Sequence, residues 1–130
     1  MFSIFNISSS ALAAQSQRLN VAASNMANSG SVAGPGREPY RARHLIFESQ
    51  AGGMGGVQTV GIVHSNKPFA SEYRPDHPLA DAEGNIRKPN VEPVHEMVDM
   101  MAASRSYQAS VEVMNTTKQL MLKTLTLGEN

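Results

Sequence analysis

The sequence predicts a mainly α-helical fold, with a long helix at each end and a short glycine- and proline-rich β/loop region between them. The distribution of helix-breaking residues indicates this division, because all seven prolines lie between Pro35 and Pro93 and nine of the ten glycines lie between Gly30 and Gly84. Large apolar residues recur at helical spacing in both ends. We therefore divide the 130-residue chain into an N-terminal helix at 1–29, a loop and small β-hairpin region at 30–93, and a C-terminal helix at 94–130.

The N-terminal helix is predicted most clearly over residues 8–29, which contain six alanines and neither proline nor glycine. Its N-cap oxygen can come from one of three serines, Ser8, Ser9 or Ser10. Large apolar side chains recur every seven positions and, with two alanines, form a thin seam like that of a coiled coil: Leu12, Leu19, Ala22, Ala23 and Met26. Burying so few large side chains offsets only part of the entropy lost in ordering the helix, so we expect other subunits to cover it.

Between the two helices the sequence predicts sharp turns and a small sheet. Asn25 and Asn28 can adopt left-handed backbone conformations and bond free carbonyl groups, so we expect them to turn the chain at the end of the first helix. The segments RHLIFES (43–49) and VQTVGIVHS (57–65) have the length and β-branched content of strands, and the glycine-rich QAGGMGG connects them. RPDHP and DAEGN are typical of turns. We expect a two- or three-stranded sheet that is too small to be stable alone.

The C-terminal helix begins after Pro93 and runs to about Leu127, and Gly128 can close it in a left-handed cap. At 100° per residue, one apolar stripe contains Met97, Met100, Tyr107, Val111, Met114, Met121 and Leu125. A second stripe, nearly opposite, contains Val94, Val98, Ala102, Ala109, Val113, Leu120 and Leu127. A helix with two apolar sides is buried inside a protein or lies between partners, and this chain has too little other helix to bury it. We therefore interpret both stripes as contacts with partner helices.

Composition excludes several classes of function. Eleven basic residues balance eleven acidic ones, so no long-range field attracts nucleic acid or anionic lipid. The absence of cysteine excludes disulfides and thiolate chemistry. The start, MFSIFNISSS, has neither the basic leader nor the apolar run of a secretory signal, and no segment approaches the ~20 apolar residues of a membrane span. We expect no insertion into a membrane. If the chain is exported, we expect a route that does not need such a signal.

The polar residues do not predict catalysis, a metal site or a cofactor. His95 and Asp99 lie one helical turn apart, but the segment HEMVD lacks the second histidine of a zinc-protease motif. The glycine-rich segments match no phosphate-binding loop. An alternative to a structural role is an amphipathic helical protein that binds lipid or peptide. The first helix, however, has one charged residue, Arg18, and lacks the basic face expected at a membrane surface.

Several motifs together resemble the bacterial flagellar rod family, and the similarity covers nearly the whole chain. The first helix ends in Asn25-x-Ala27-Asn28, and Pro39-Tyr40-Arg41 follows it. Pro89-Asn90-Val91 precedes the second helix. That helix contains the segments EMVDM (96–100) and RSYQA (105–109), and it ends in LKTL (122–125).

The resemblance implies a structural subunit of the rod, the drive shaft that joins the membrane-embedded flagellar base to the hook across the periplasm. It implies that the terminal helices pair as an antiparallel coiled coil, in which residues 1–29 and 94–127 form a helical core domain. The short middle region indicates a proximal position in the rod. The implied partners are copies of itself, the rod proteins FlgB, FlgF and FlgG, the basal protein FliE and the surrounding P ring. The implied export route is the flagellar type III apparatus, without a cleavable signal peptide.

Overall fold

The computed structural model describes residues 2–53 and 55–129 of the chain. In chain order the elements are α1 (Phe2–Asn28), β1 (Arg43–Ser49), β2 (Val57–His64), β3 (Ala70–Tyr73), β4 (Asn85–Lys88) and α2 (Pro93–Gly128). The predicted arrangement of two long terminal helices around a small antiparallel β region is confirmed. Among the described residues, no helix is both long and apolar enough to cross a membrane.

Helix α1 begins at Phe2, six residues earlier than the clearest part of the sequence pattern. The predicted N-cap at Ser8, Ser9 or Ser10 is therefore wrong, because all three serines lie inside the helix. The hydroxyl of Ser10 donates a hydrogen bond to the C=O of Ile7 at 2.8 Å. Serine can form such a bond to the preceding turn from inside a helix. No proline or glycine precedes these serines, so nothing stops the helix from continuing toward Phe2.

Helix α2 has the predicted limits within one residue at each end. Pro93 occupies its first turn, where a missing N–H leaves no helical hydrogen bond unmade. The predicted left-handed cap at Gly128 is wrong, because Gly128 is the last helical residue and the capping residue Glu129 has right-handed angles. The N–H of Glu129 donates to the C=O of Leu125 at 3.2 Å, which prolongs the helical pattern instead of reversing the chain.

The two helices pack against each other in opposite directions. Arg18 of α1 bonds Asp99 of α2 at 3.1 Å, while Asn25, further along α1, bonds Glu96, which lies earlier on α2. The buried residues of the two helices are small or polar: Ser8, Ala14, Ala22 and Asn25 on α1, and Glu96, Ala103 and Thr117 on α2. This register brings the start of α1 level with about residue 117, so roughly the last three turns of α2 extend beyond α1.

The middle region contains two separate two-stranded antiparallel sheets instead of a single sheet. Strands β1 and β2 have the predicted limits within one residue, and they pair from Arg43 opposite His64 to Ser49 opposite Val57. The register shifts between Ile46 and Phe47, where Val60 forms a β-bulge. The second sheet, β3 with β4, was not predicted, because each strand has four residues and too few apolar positions to show alternation. The predicted turn RPDHP lies between these two strands, and DAEGN leads into β4, whose first residue is Asn85.

Gly84 provides a test of the β3–β4 turn. Its φ is +81°, and an added Cβ would lie 2.9 Å from Cε2 of Tyr73 and 3.2 Å from Cβ of Pro75. We expect Gly84→Ala to lower the free energy of unfolding by about 1–3 kcal/mol, through left-handed strain and a clash. Gly61→Ala is the matched control, because a Cβ there meets nothing within 4 Å and φ is not left-handed. Equal urea midpoints for the two variants would contradict the steric constraint assigned to Gly84.

Candidate assembly interface

A buried side chain, Asn25, joins α1 to β1 and to α2. Its Oδ1 accepts hydrogen bonds from the hydroxyl of Tyr40 at 2.9 Å and from the backbone N–H of Arg43 at 3.0 Å. Its Nδ2 donates to the C=O of Arg43 at 2.8 Å and to Oε1 of Glu96 at 3.1 Å. The amide thus uses two donors and two acceptor positions, which is its full capacity. We call Asn25 with these three partners the Asn25 junction.

The prediction of left-handed asparagines at the end of α1 is wrong, because no described residue other than glycine has a positive φ. Asn25 is fully buried inside the helix and bonds distant segments. Asn28 keeps the helical conformation, and its Nδ2 donates to the C=O of Ser24, within the same helix, at 2.8 Å. The turn itself follows at Ser29 and Gly30.

The predicted Pro39-Tyr40-Arg41 motif lies beside the junction. Pro39 is buried, and Tyr40 reaches Asn25 as described above. Arg41 forms an ion pair with Glu38, and its guanidinium lies 4.6 Å from the centre of the Phe69 ring. The motif therefore fixes the loop that leads from α1 into β1.

Asn90 forms a second amide bridge, which the sequence did not predict. Its Oδ1 accepts from the N–H of Ala42 at 2.7 Å, and its Nδ2 donates to the C=O of Ser65 and of Lys67 at 3.2 and 3.0 Å. Asn90 thereby holds the open end of the β1–β2 hairpin against the segment that enters α2. Only its place in the motif Pro89-Asn90-Val91 distinguished it in the sequence.

Glu96 is 4% exposed, and its carboxylate is the one acidic member of the junction. Burial raises the pKa of Glu96, since a carboxylate loses solvation there, and the nearby Asp99 raises the pKa further. The hydrogen bond from Asn25 and the nearby His44 and His95 lower the pKa by less. His95 itself is exposed and lies 3.1 Å from a Glu92 oxygen.

The predicted seam residues lie beside the buried face of the helix pair. On α1, Ala22 is buried, Leu12, Leu19 and Met26 are half-buried, and Ala23 is exposed. In the first stripe of α2, the half-buried residues are Met100, Val111, Met114 and Met121, and the exposed ones are Met97, Tyr107 and Leu125. Leu19 and Met100 line the same shallow groove between the helices, so the structure brings these two together.

The second predicted stripe of α2 is exposed along its whole length. Val98 is 59% exposed and Leu127 is 76% exposed. The other members are also exposed: Val94, Ala102, Ala109, Val113 and Leu120. Within the described part of the chain, nothing covers this face, which is more apolar surface than a solvated helix normally presents.

Comparison with known proteins identifies the class of protein to which this chain belongs. The sequence pattern of the family described as "Flagella basal body rod protein" matches residues 5–35, and that of "Flagellar basal body rod FlgEFG protein C-terminal" matches residues 82–127. Over 132 aligned residues the chain is 54% identical to a rod protein of Escherichia coli O6:H1, and the alignment covers 99% of this chain and 98% of the relative. The chain therefore belongs to the flagellar basal-body rod protein family, which confirms the resemblance.

Within that family, this relative of Escherichia coli has the name flagellar basal-body rod protein FlgC. FlgC of Salmonella typhimurium has the same identity and coverage. FlgC of Bacillus subtilis is 37% identical over 147 residues, with 98% of each chain covered. The similarity to FlgC therefore extends over the middle region as well as over both helices.

The Asn25 junction predicts a large loss of stability on truncation. Asn25→Ala removes four hydrogen bonds and leaves Glu96 and both backbone groups of Arg43 without these partners, so we expect the free energy of unfolding to fall by about 2–4 kcal/mol. Asn28→Ala is the matched control, since its amide makes one hydrogen bond, within the same helix. We expect it to lower stability by less than about 1 kcal/mol. Urea unfolding of the full chain, followed by circular dichroism, measures both; similar losses would contradict the assignment.

The raised pKa of Glu96 predicts a pH dependence. Folding disfavours the ionised carboxyl, so the stabilisation from this group is complete below about pH 4, the range of the unfolded-state pKa, and is lost as pH rises through the folded-state pKa. Glu96→Gln removes this ionisation and keeps an oxygen that accepts from Asn25. The stability of the native chain minus that of Glu96→Gln should therefore fall as the pH rises above about 4.

Urea unfolding at each pH measures this difference. Glu112→Gln, at an exposed position of the same helix, is the control. A difference that stays constant or rises with pH would contradict the prediction for Glu96.

Proposed function

We propose that the chain is a non-enzymatic structural subunit of the flagellar basal-body proximal rod, part of the drive shaft that transmits torque from the motor to the hook. The full-length similarity to FlgC supports this role most directly. The exposed apolar faces of α2 also support it, because a subunit of a helical assembly covers such faces with its neighbours.

Within the assembled rod, α1 and α2 pair as an antiparallel coiled coil and form a helical core domain. The spacing of the less exposed positions of α2 supports this pairing, because it follows a seven-residue repeat. One half of the repeat contains Glu96, Ala103, Ser110 and Thr117, and the other contains Met100, Met114 and Met121. The seam of α1 and the first stripe of α2 then border one groove, which a helix of a neighbouring subunit fills.

The partners that we propose are copies of this chain, the rod proteins FlgB, FlgF and FlgG, and FliE, with the P ring around them. The chain reaches its place in the periplasm through the type III export apparatus of the flagellum. We propose no nucleic-acid partner, in agreement with the balanced charge.

The alternative, an amphipathic helix that binds lipid or peptide, has less support. Arg18 is the one charged residue of α1, and it is bonded to Asp99. A helix without a free basic face lacks the electrostatic attraction to anionic lipid that such proteins use. Co-sedimentation of the full chain with anionic vesicles would separate the two functions, because the rod function predicts no binding.

Charge introduced beside the shared groove tests the assembly role. We expect Leu19→Asp or Met114→Asp to abolish motility and to prevent incorporation into isolated basal bodies, because each change places a carboxylate in an apolar contact. The level of the chain in the cell should not change. Asn20→Asp and Asn115→Asp are matched controls, because they add the same charge at exposed neighbouring positions. Normal swimming with either groove variant would refute the proposed contact.

A further inference from the structure

The outer edge of β1 is a sheet edge without a third strand, because β1 and β2 form a two-stranded sheet. At one end of this edge Asn25 takes the position of a neighbouring strand, since its amide bonds both the N–H and the C=O of Arg43. Those two backbone groups therefore point away from β2. The Asn25 junction thus defines the direction in which the edge faces.

Further along β1, the same edge is open. In an antiparallel pair, residues alternate between those whose backbone groups face the partner strand and those whose groups face outward. At both ends of the hairpin the even-numbered residues of β1 face β2, because Ser65 donates to Ala42 and Gln50 donates to Gly56. The N–H and C=O of Leu45 and of Phe47 therefore face outward, like those of Arg43. In the described part of the chain, neither residue has a backbone hydrogen bond outside the hairpin.

A cavity of about 280 Å³ lies between β1, α1 and α2. Leu45 and Phe47 line it on the strand side, Val21 and Ala22 line it on α1, and Asp99 lines it on α2. The volume is at the lower limit for a site that binds a small organic ligand. A chain added to β1 at the usual strand separation of about 4.8 Å would enter this space.

Two basic residues, Arg18 and Arg43, line the cavity together with two acidic residues, Glu96 and Asp99. Arg18 is paired with Asp99 across the cavity wall. Arg43 forms no ion pair among the described residues, and its guanidinium lies 5.6 Å from the centre of the Tyr40 ring. A carboxylate beside Arg43 would therefore gain a charged hydrogen-bond partner without breaking an existing ion pair.

We propose that the outer edge of β1 binds an extended segment of a neighbouring subunit by strand addition. The added segment forms backbone hydrogen bonds with Leu45 and Phe47, places an apolar side chain against Val21 and Ala22, and places a carboxylate beside Arg43. Backbone pairing of this kind provides affinity, while the contacts of alternate side chains select the partner. The inference rests on the proposed rod function, because that function supplies the neighbouring subunit.

Leu45→Pro tests the edge directly. Proline removes the N–H that faces outward and leaves the hydrogen bonds to β2 in place. We expect incorporation of this variant into isolated basal bodies to fall at least tenfold. Ile62→Pro is the matched control, because Ile62 lies opposite Leu45 and its N–H faces the other edge of the hairpin. We expect this control to stay within twofold of the native chain, and comparable incorporation of both variants, high or low, would overturn the proposal.

An image of the native basal body at a resolution that shows the backbone provides a second test, independent of whether a proline variant folds. We expect the backbone of another subunit at about 4.8 Å from β1, alongside Leu45–Phe47. A cavity that is empty in the assembled particle, or filled only by side chains or by a helix, would overturn strand addition and leave the rod function intact. Absence of the chain from the basal body would instead overturn the rod function.

Discussion

The hydrogen bonds of Asn25 are the constraint on which the arrangement of the helices and the hairpin depends. The buried apolar residues are mostly alanines, and Ile86 is the one large apolar side chain that is fully buried among the described residues. An alanine methyl group contributes about 0.8 kcal/mol on burial, whereas a buried polar group left without a partner costs about 1–3 kcal/mol. At the α1–α2 contact, polar satisfaction is therefore at least as large an effect as apolar burial, and it also fixes the register of the helices.

This balance explains why the paired helices leave so much apolar surface uncovered. Small residues such as Ala14, Ala22 and Ala103 permit close approach, but they exclude little apolar area from water. The larger residues, such as Leu19 and Met114, lie at the margins of the contact, where a further helix can reach them. A chain built in this way gains stability from whatever covers those margins, since a partner that binds only the folded form shifts the equilibrium toward it.

The sequence predicted the elements whose evidence is local. The positions of proline and glycine located both helices, and β-branched residues located β1 and β2 within one residue. The local sequence led to wrong predictions where one side chain can form either of two kinds of hydrogen bond. Ser10 can cap a helix or bond the C=O of the preceding turn, and Asn25 can end a helix or bridge to a residue 71 positions away. The sequence shows neither the distant partner nor the choice between the two uses, so the junction could be found only in the structure.

Asn25 and Asn90 together determine how force passes between the hairpin and the helices. Both amides bond backbone groups at the same end of the hairpin, through Arg43, Ala42 and Ser65, so that end is bound to α1 and to the entry of α2. Backbone atoms have less freedom to move than the end of a flexible side chain. Each asparagine amide therefore forms a short bridge between its own helix or loop and the main chain of the hairpin. In the proposed drive shaft, torque on the outer part of a subunit would reach its helices through this end of the hairpin. At the other end of the hairpin, Oγ of Ser10 accepts one hydrogen bond from the N–H of Val57 at 3.1 Å, so fewer side-chain hydrogen bonds hold that end to the helices. In the proposed drive shaft, the hydrogen bonds of these two asparagines would therefore carry much of the force between the hairpin and the helices.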